Sequence, residues 1–404
     1  MARFSHLFKA ALLTLSLAVL SGHAVAKDVI KVGEINSYKT IPSFLEPYKK
    51  GIELAVHEVN EAGGLLGGRE LEVITRDDGG NPGAAIREAQ KLLRRDKVDL
   101  LAGSFLSHIA LAIADYARQN EVFFLAGEPL TDKMTWGDGN RYTFRLRDST
   151  YMKTRMLVPA AVEFKKKRWA LIYPNYEYGQ SAIETFKEEM RKHQPDIEFV
   201  LEQAVPLNKI DAGSVVQALD DSGAEALFNV LFSTDLTKFV RAGQTRNVFD
   251  DLPTVSMLSG EPEYLDTLGE DTPIGWFVTG YPWYAIDTPE HDAFLTAYQE
   301  MFDDYPRLGS IVGYMMVQSL AAGIEKAGST ETEDLIQAFR GLEHDSPLGP
   351  IYYRPQDHQS TMGAFVGTLD IKDGEGIMTN IQYIDGKDVQ PTDEEVTKLR
   401  PVDD

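Results

Sequence analysis

Short apolar runs alternate with amphipathic segments from residue 29 to residue 125. In the segment 47–62, Ile52, Val56 and Val59 recur at the spacing of a helix, and a pair of glycines follows it. Apolar runs that lack this spacing and are bounded by turn residues predict buried strands. We predict strands at 29–33, 71–74, 98–102 and 122–125, and helices at 47–62, 84–95 and 107–119.

The same alternation begins again at residue 169 and continues to the end of the chain. We predict strands at 169–173, 199–204, 226–230, 254–258 and 276–279, and helices at 179–193, 214–221, 236–242, 292–302 and 311–327. The last part is rich in β-type segments near 351–353, 364–371 and 378–383. Strands that alternate with helices are typical of parallel sheets flanked by helices. The sequence therefore predicts an α/β fold of two similar lobes, each a parallel-type sheet flanked by helices.

The N-terminus has the three parts of a secretory signal peptide. Arg3 and Lys9 supply a basic start, residues 10–20 an apolar run, and Ala24-Val25-Ala26 a small-residue cleavage site. The alternative interpretation is a buried N-terminal helix. A membrane-spanning helix is not predicted, because the apolar run is too short to span a bilayer, which needs about 20 residues. We expect residues 1–26 to be removed and the mature chain to begin at Lys27, in the periplasm.

Composition narrows the partners of the protein. The 404-residue chain has 62 acidic and 40 basic residues, a formal net charge of −22, and no cysteine. An acidic surface repels phosphate backbones, so nucleic acid is not an expected partner. The lack of cysteine excludes disulfides, thiolate metal sites and cysteine nucleophiles. The length suggests two domains, and we expect a monomer.

The motifs of enzymes and metal proteins are incomplete in this sequence. The glycine-rich stretch 63–69 lacks the Lys-Ser/Thr pair of a phosphate-binding loop. His57-Glu58 on a predicted helix is followed by Glu61 where a second zinc-binding histidine would stand. Asp77-Asp78 lacks the spacing of a calcium loop and is predicted to lie on a solvated face, and His358 is predicted at the surface. We expect no enzyme activity, no metal and no cofactor.

Four predicted strand-to-helix loops are rich in hydroxyl and aromatic side chains, at 103–108, 126–131, 173–179 and 232–235. Ligands of open α/β sheets bind beyond the carboxyl ends of the strands, where helix N-termini present N–H groups. For Ser107 or Asp235 taken alone, plain N-capping of a helix is the favoured interpretation. Together the four loops predict a ligand site at one edge of the sheets.

These residues also resemble a known family. The similarity is to type I periplasmic binding proteins, in the branch of the leucine/isoleucine/valine-binding receptors of ABC transporters. It extends over nearly the whole chain after residue 26. The matching segments are 31–33, 51–55, 59–69, 77–78, Gly103 with Ser107, 178–180, 313–314, 327–330 and 347–350.

The resemblance implies two lobes joined by three crossovers that close on a small ligand, which a membrane permease then receives. We place the crossovers near 145–147, 281–282 and 350–353. The implied division is 27–145 plus 282–350 for lobe I, and 146–281 plus 351–404 for lobe II. The implied function is capture of a hydrophobic amino acid or a related small carboxylate for an ABC importer.

The same resemblance implies the ligand site. The serine that holds the ligand carboxylate falls on Ser107, and aromatic wall residues fall on Phe44, Phe105, Tyr178 and Phe232. A threonine of the relatives falls on Leu130, and a backbone carbonyl position falls on Glu128. The acid that pairs with the ligand ammonium is expected near residues 258–259, where the nearby acid is Glu261.

These departures leave the ligand open. A buried ammonium needs an acid, so an α-amino acid fits only if Glu128 or Glu261 faces the cleft. If neither does, an aromatic or aliphatic carboxylate fits better. The aromatic residues of the cleft loops could then stack on a ring, or they are ordinary packing residues. A receptor for short amides, a ligand-sensing module and an exported enzyme are the remaining alternatives. Arg145 and Arg147 near the first crossover are interpreted as structural ion pairs or as partners of a carboxylate.

Overall fold

The computed structural model describes residues 29–400. Its strands are β1 (Ile30–Asn36), β2 (Leu71–Asp77), β3 (Leu100–Gly103), β4 (Phe124–Ala126), β5 (Thr143–Arg145), β6 (Arg168–Pro174), β7 (Glu198–Val205), β8 (Ala226–Asn229), β9 (Thr254–Gly260), β10 (Phe277–Gly280), β11 (Glu343–His344), β12 (Ile351–Tyr352), β13 (Ala364–Lys372) and β14 (Glu375–Ile384). Its helices are α1 (Pro42–Glu61), α2 (Pro82–Lys91), α3 (Ser107–Asn120), α4 (Thr150–Glu163), α5 (Glu177–His193), α6 (Ala212–Asp221), α7 (Ser233–Thr245), α8 (Pro262–Leu268), α9 (Pro289–Phe302), α10 (Leu308–Ala327), α11 (Thr332–Phe339) and α12 (Asp393–Leu399).

The first sheet has five parallel strands in the order β2-β1-β3-β4-β5. Its central strand β3 is buried along its whole length, as continuous apolar strands of parallel sheets are. Helix α10, from late in the chain, packs against α1 beside this sheet. Glycines make the close approach possible, since a Cβ at Gly51 would lie 1.8 Å from the carbonyl oxygen of Ser310.

The second sheet has seven strands in the order β14-β13-β10-β9-β8-β6-β7. Strands β6 to β10 pair in parallel, while β13 pairs antiparallel with both β10 and β14. The β13–β14 turn is Asp373-Gly374, with φ of 55° and 84°. Two consecutive residues of positive φ are typical of the tight turns that join antiparallel strands. The predicted parallel-type sheet is therefore mixed in its last part.

The chain passes between the two sheets three times, after β5, after β10 and between β12 and β13. The two-sheet α/β architecture confirms the predicted fold class, and the exact lobe boundaries stay a prediction. The predicted signal peptide lies outside the described residues. No helix within residues 29–400 is long and apolar enough to cross a membrane.

Two surface predictions are wrong. His358 is buried and stacks on Phe144 at 3.9 Å between ring centroids, because the connection to β13 packs under the first sheet. Asp78 is also buried, and its carboxylate accepts hydrogen bonds from the Ser37 hydroxyl and the Gly80 N–H.

Candidate functional site

A small cavity lies where strands of both sheets end. Its empty volume is about 240 Å³, part of which is open to solvent. Its lining residues follow β3, β4, β5, β6 and β8, except Leu258, which lies near the end of β9. They are Phe105, Ser107, Glu128, Leu130, Arg147, Tyr176, Tyr178, Phe232 and Leu258. The carboxyl ends of parallel strands are where α/β proteins bind ligands. We call this space the cleft cavity.

Four aromatic rings form one side of the cleft cavity, and we call Phe105, Tyr176, Tyr178 and Phe232 the ring wall. Phe105 follows the first sheet and lies 5.9 Å from Phe232, which follows the second, measured between ring centroids. Tyr178 meets Phe232 edge-on at 5.8 Å, and Tyr176 lies 6.0 Å from Tyr178. Such spacings are those of favourable aromatic contacts. The ring wall therefore joins the two sheets across the cleft.

Three helices begin at the cleft cavity without a side-chain cap from any described residue. They are α3, α5 and α7, and the residues before them are Leu106, Tyr176 and Phe232. Helices α2, α4 and α6, by contrast, are capped by the side chains of Asn81, Ser149 and Asp211. The first N–H groups of a helix have no partner within the helix, so uncapped N-termini offer hydrogen bonds to an anion.

The N-cap interpretation of Ser107 and Asp235 is wrong. Ser107 is the first residue of α3, and its hydroxyl oxygen accepts a hydrogen bond from the Thr131 N–H at 3.3 Å. Asp235 lies inside α7, and its carboxylate accepts hydrogen bonds from the N–H groups of Asn208 and Ile210. Asp235 therefore fixes a neighbouring loop, while Ser107 stays at the cleft cavity.

Five ionisable side chains meet at the other end of the cleft. We call Glu128, Arg147, Asp148, Lys153 and Glu261 the charge cluster, and each of these side chains is at most 2% exposed. Arg147 donates to Glu128 Oε2 at 2.9 Å and to Glu261 Oε1 at 2.5 Å. Lys153 Nζ lies 2.9 Å from Asp148 Oδ2. Because Glu128 follows β4 and Glu261 follows β9, Arg147 links the two sheets.

The charge cluster contains three acids and two bases, so full ionisation would leave one buried negative charge. Burial raises the pKa of Glu128 to about 8, although Arg147 opposes the shift. Burial also raises the pKa of Glu261. Glu128 Oε1 and Glu261 Oε2 have no hydrogen-bond partner within residues 29–400. An unpaired buried charge is costly, so the cluster holds a proton or takes up a cation.

The structure brings six of the eight predicted site residues together in the cleft cavity: Phe105, Ser107, Glu128, Leu130, Tyr178 and Phe232. The other two lie just behind it. Phe44 packs against Phe105 at 4.9 Å and lies 5.5 Å under the Arg147 guanidinium. Glu261 lies beyond Arg147 and is not part of the lining. Glu128 is therefore the acid that faces the cavity.

Three further lining residues, Arg147, Tyr176 and Leu258, were not predicted individually as site residues, although Tyr176 lies in the aromatic loop 173–179. Arg147 was interpreted mainly as a member of a structural ion pair. Residue 258 was considered only as a position near which the acid for the ligand ammonium was expected. Leu258 has a φ of 65°, which a branched side chain rarely adopts, and this backbone turn places it over the cavity at the end of β9. A signal for Arg147 is present in the sequence, since it follows a buried strand and directly precedes an acid.

Comparison with known proteins identifies relatives over most of the chain. A family model described as "Periplasmic binding protein" matches residues 30–375. The Leu/Ile/Val-binding protein homolog 8 of Brucella suis biovar 1 (strain 1330) is 26% identical, over 98% of this chain and 99% of the relative.

Solved structures are similar as well. An ABC transporter solute-binding protein from Rhodopseudomonas palustris, in complex with 4-hydroxybenzoate, is 25% identical with a TM-score of 0.79, and the match covers 92% of this chain and 100% of that one. A solute-binding protein of Rhodopseudomonas palustris HaA2, in complex with p-hydroxybenzoic acid, has a TM-score of 0.81 at 24% identity, with coverage of 92% and 100%.

Proposed function

Because the chain belongs to the periplasmic binding protein family, we propose that it is the solute receptor of an ABC importer and captures a small hydrophobic amino acid. The observation that carries the choice of ligand is the Glu128 carboxylate, which faces an aromatic cavity with one oxygen unpartnered. The uncapped helix N-termini, Glu128 and the ring wall are assigned to the carboxylate, the ammonium and the apolar side chain of such a ligand.

The carboxylate of the ligand is assigned to the uncapped helix N-termini. Ser107 at the start of α3 supplies a hydroxyl, and the first-turn N–H groups of α3 point toward the same end of the helix. An anion at this position gains hydrogen bonds and a favourable helix dipole. The side chain of Leu130 makes no hydrogen bond, so it supplies apolar contact only.

The ammonium of the ligand is assigned to Glu128 Oε1. The charge cluster has one acid more than it has bases, and a ligand cation supplies the missing positive charge. Arg147 occupies the other Glu128 oxygen at 2.9 Å and holds the carboxylate in place. A buried ammonium that meets an oriented carboxylate avoids the desolvation cost of an unpaired ion.

The apolar side chain of the ligand is assigned to the ring wall. Closure of the ring wall over the ligand excludes water and strengthens the polar contacts at both ends. We expect binding without turnover, and the closed form is the one that a permease would recognise. We also expect export through removal of residues 1–26, so the N-terminal residue of the periplasmic protein should be Lys27.

A second candidate ligand is a hydroxylated aromatic acid, because two solved relatives were crystallised with the same compound, 4-hydroxybenzoate or p-hydroxybenzoic acid. Four aromatic residues in the cleft cavity favour a planar ring. The phenol hydroxyl would then donate to Glu128 Oε1 in place of an ammonium. Benzoate, which lacks that donor, would bind more weakly than 4-hydroxybenzoate.

The test is a thermal-shift screen of the purified protein with leucine, phenylalanine, benzoate, 4-hydroxybenzoate and short amides. A ligand that binds only the folded state adds about 2.7 kcal/mol of stability at a hundredfold excess over its dissociation constant. Shifts with the amino acids support the first assignment, and shifts with hydroxylated acids alone support the second. If no small amino acid, acid or amide raises the melting temperature, the receptor proposal fails.

A further inference from the structure

A second and larger cavity opens behind the loop that carries Glu261. Its empty volume is about 810 Å³, part of which is open to solvent. It lies among α8, the short turn Trp283–Ala285, the loop between α9 and α10, and the β13–β14 turn. Gly260 and Pro262 line it, whereas Glu261 between them is turned to Arg147. We call it the outer cavity, and it is separate from the cleft cavity.

Four aromatic residues line the outer cavity: Tyr281, Trp283, Tyr284 and Tyr305. Trp283 stacks on Tyr305 with 4.8 Å between ring centroids and 13° between ring planes, and it meets Tyr284 at 5.8 Å. The Tyr284 hydroxyl accepts from the Met378 N–H at 2.7 Å and donates to the Met378 carbonyl at 3.2 Å. These contacts fix the rings before any ligand arrives, which reduces the entropy lost on binding.

The rim of the outer cavity is acidic. Among the described residues that line it, the charged ones are Asp266 and Glu375. Asp266 pairs with Arg307 at 2.9 Å, so its charge is compensated from outside the cavity. Arg307 in turn lies 4.5 Å from the centre of the Tyr305 ring. The Arg307 guanidinium therefore already contacts both an aromatic ring face and a carboxylate beside this cavity.

Glu375 is different, because it has no ion-pair partner in the described part of the chain. It is exposed at the start of β14, directly after the tight turn that ends at Gly374. Glu375 lines the outer cavity, and the residue opposite it on β13 is Lys372, with which it forms no ion pair. Because both charged lining residues are acids, the outer cavity favours a cation over the carboxylate ligands considered for the cleft.

Aromatic faces beside a carboxylate are the groups that bind organic cations, through the negative ring faces and direct charge attraction. We propose that the outer cavity binds a small organic cation, of the quaternary or alkyl ammonium class, between the rings of Trp283 and Tyr284 and the Glu375 carboxylate. The proposal is independent of which ligand fills the cleft cavity.

Calorimetric titration of the purified protein with choline tests this site. The matched control is 3,3-dimethyl-1-butanol, which has the same shape without the charge, and equal sodium chloride controls for ionic strength. We expect choline to bind at least about tenfold more tightly than the neutral alcohol. Glu375→Gln, an exposed change that leaves the fold intact, should weaken choline binding several-fold, and Trp283→Leu should weaken it further.

Two control variants test whether choline binds in the outer cavity. Glu290→Gln changes an exposed acid on α9 outside the lining and should leave choline binding unchanged. Glu128→Gln alters the cleft and should also leave it unchanged. The proposal is overturned if choline does not bind, if it binds no better than the alcohol, if Glu375→Gln has no effect, or if only Glu128→Gln abolishes binding.

Discussion

The ring wall and the charge cluster are the two ends of one cleft, and they are built on opposite principles. The ring wall consists of aromatic rings in pairwise contact, so replacing one ring by another apolar side chain removes only the contacts of that ring. The charge cluster consists of buried ions, each of which depends on the others for its stability. Apolar contact contributes affinity in proportion to area, whereas buried charge imposes a large penalty on a ligand of the wrong charge. The ring wall should therefore determine how tightly the receptor binds, and the charge cluster what it binds.

The largest expected effect follows from removing the cation that holds the charge cluster together. Arg147→Met leaves Glu128 and Glu261 buried without their shared partner, and breaking a buried ion pair costs about 3–5 kcal/mol. We expect the free energy of unfolding in urea to fall by that amount. The control is Arg141→Met, which breaks a surface pair with Glu333 and should cost at most about 1 kcal/mol. Equal losses in the two variants would contradict the role given to Arg147.

A smaller effect, confined to binding, is expected for Glu128→Gln. The amide retains the shape of the side chain but removes the charge assigned to the ligand ammonium. Affinity for an amino acid should fall by about 2 kcal/mol or more, which is at least about thirtyfold, as measured by calorimetry. The exposed acid at the end of α3 provides a control, and Glu121→Gln should leave affinity unchanged. An unaltered affinity in Glu128→Gln would remove the charge cluster from ligand recognition.

The pH dependence of binding sharpens the same point. Burial raises the pKa of Glu128 to about 8, so at neutral pH the empty cleft holds this carboxyl mainly protonated. An ammonium binds the ionised form and displaces the proton, so amino-acid affinity should rise about tenfold from pH 6 to pH 7 and level off above pH 8. Titrations in buffers of different ionisation enthalpy would measure the released proton. In Glu128→Gln the slope should vanish, and a slope that persists would assign the proton to another group.

The smallest effect is expected at the ring wall. Phe232→Leu keeps an apolar side chain but removes ring contacts with Phe105 and Tyr178. We expect a loss of about 1 kcal/mol, roughly fivefold, for every ligand whatever its charge. Phe164→Leu, at the end of α4 and away from the cleft, is the control. If Phe232→Leu changed the preference among ligands of different charge, the division between the two ends of the cleft would be wrong.

The sequence predicted the parts of this molecule that local patterns determine. The α/β alternation, the lining positions of Ser107, Glu128 and Phe232, and the resemblance to periplasmic binding proteins all depend on short segments or motif order. The fold class and the family are confirmed, whereas the roles of the site residues stay predictions. The position of helix α10 beside the first sheet was implied by the resemblance and not by a local pattern, because it depends on close packing of α10 on α1 at Gly51.

The charge cluster could not be predicted from local sequence patterns, because its side chains meet only in the folded structure. Arg147 lies 19 residues from Glu128 and 114 residues from Glu261 along the chain. Whether each acid points to the ligand or to an arginine depends on how the two sheets face each other. The same reason explains His358, whose polar neighbours suggested a surface position although its ring stacks on Phe144 in the interior.

The central claim is that the cleft selects a ligand that brings a positive charge to Glu128. The most direct measurement is calorimetry with the amino acid that stabilises the protein most, beside the same molecule without its amino group. For phenylalanine the partner is 3-phenylpropanoate, which keeps the ring and the carboxylate. We predict that the deaminated analogue binds at least about thirtyfold more weakly. Equal or tighter binding of the analogue would show that the cleft is a site for organic acids and contradict the role given to Glu128.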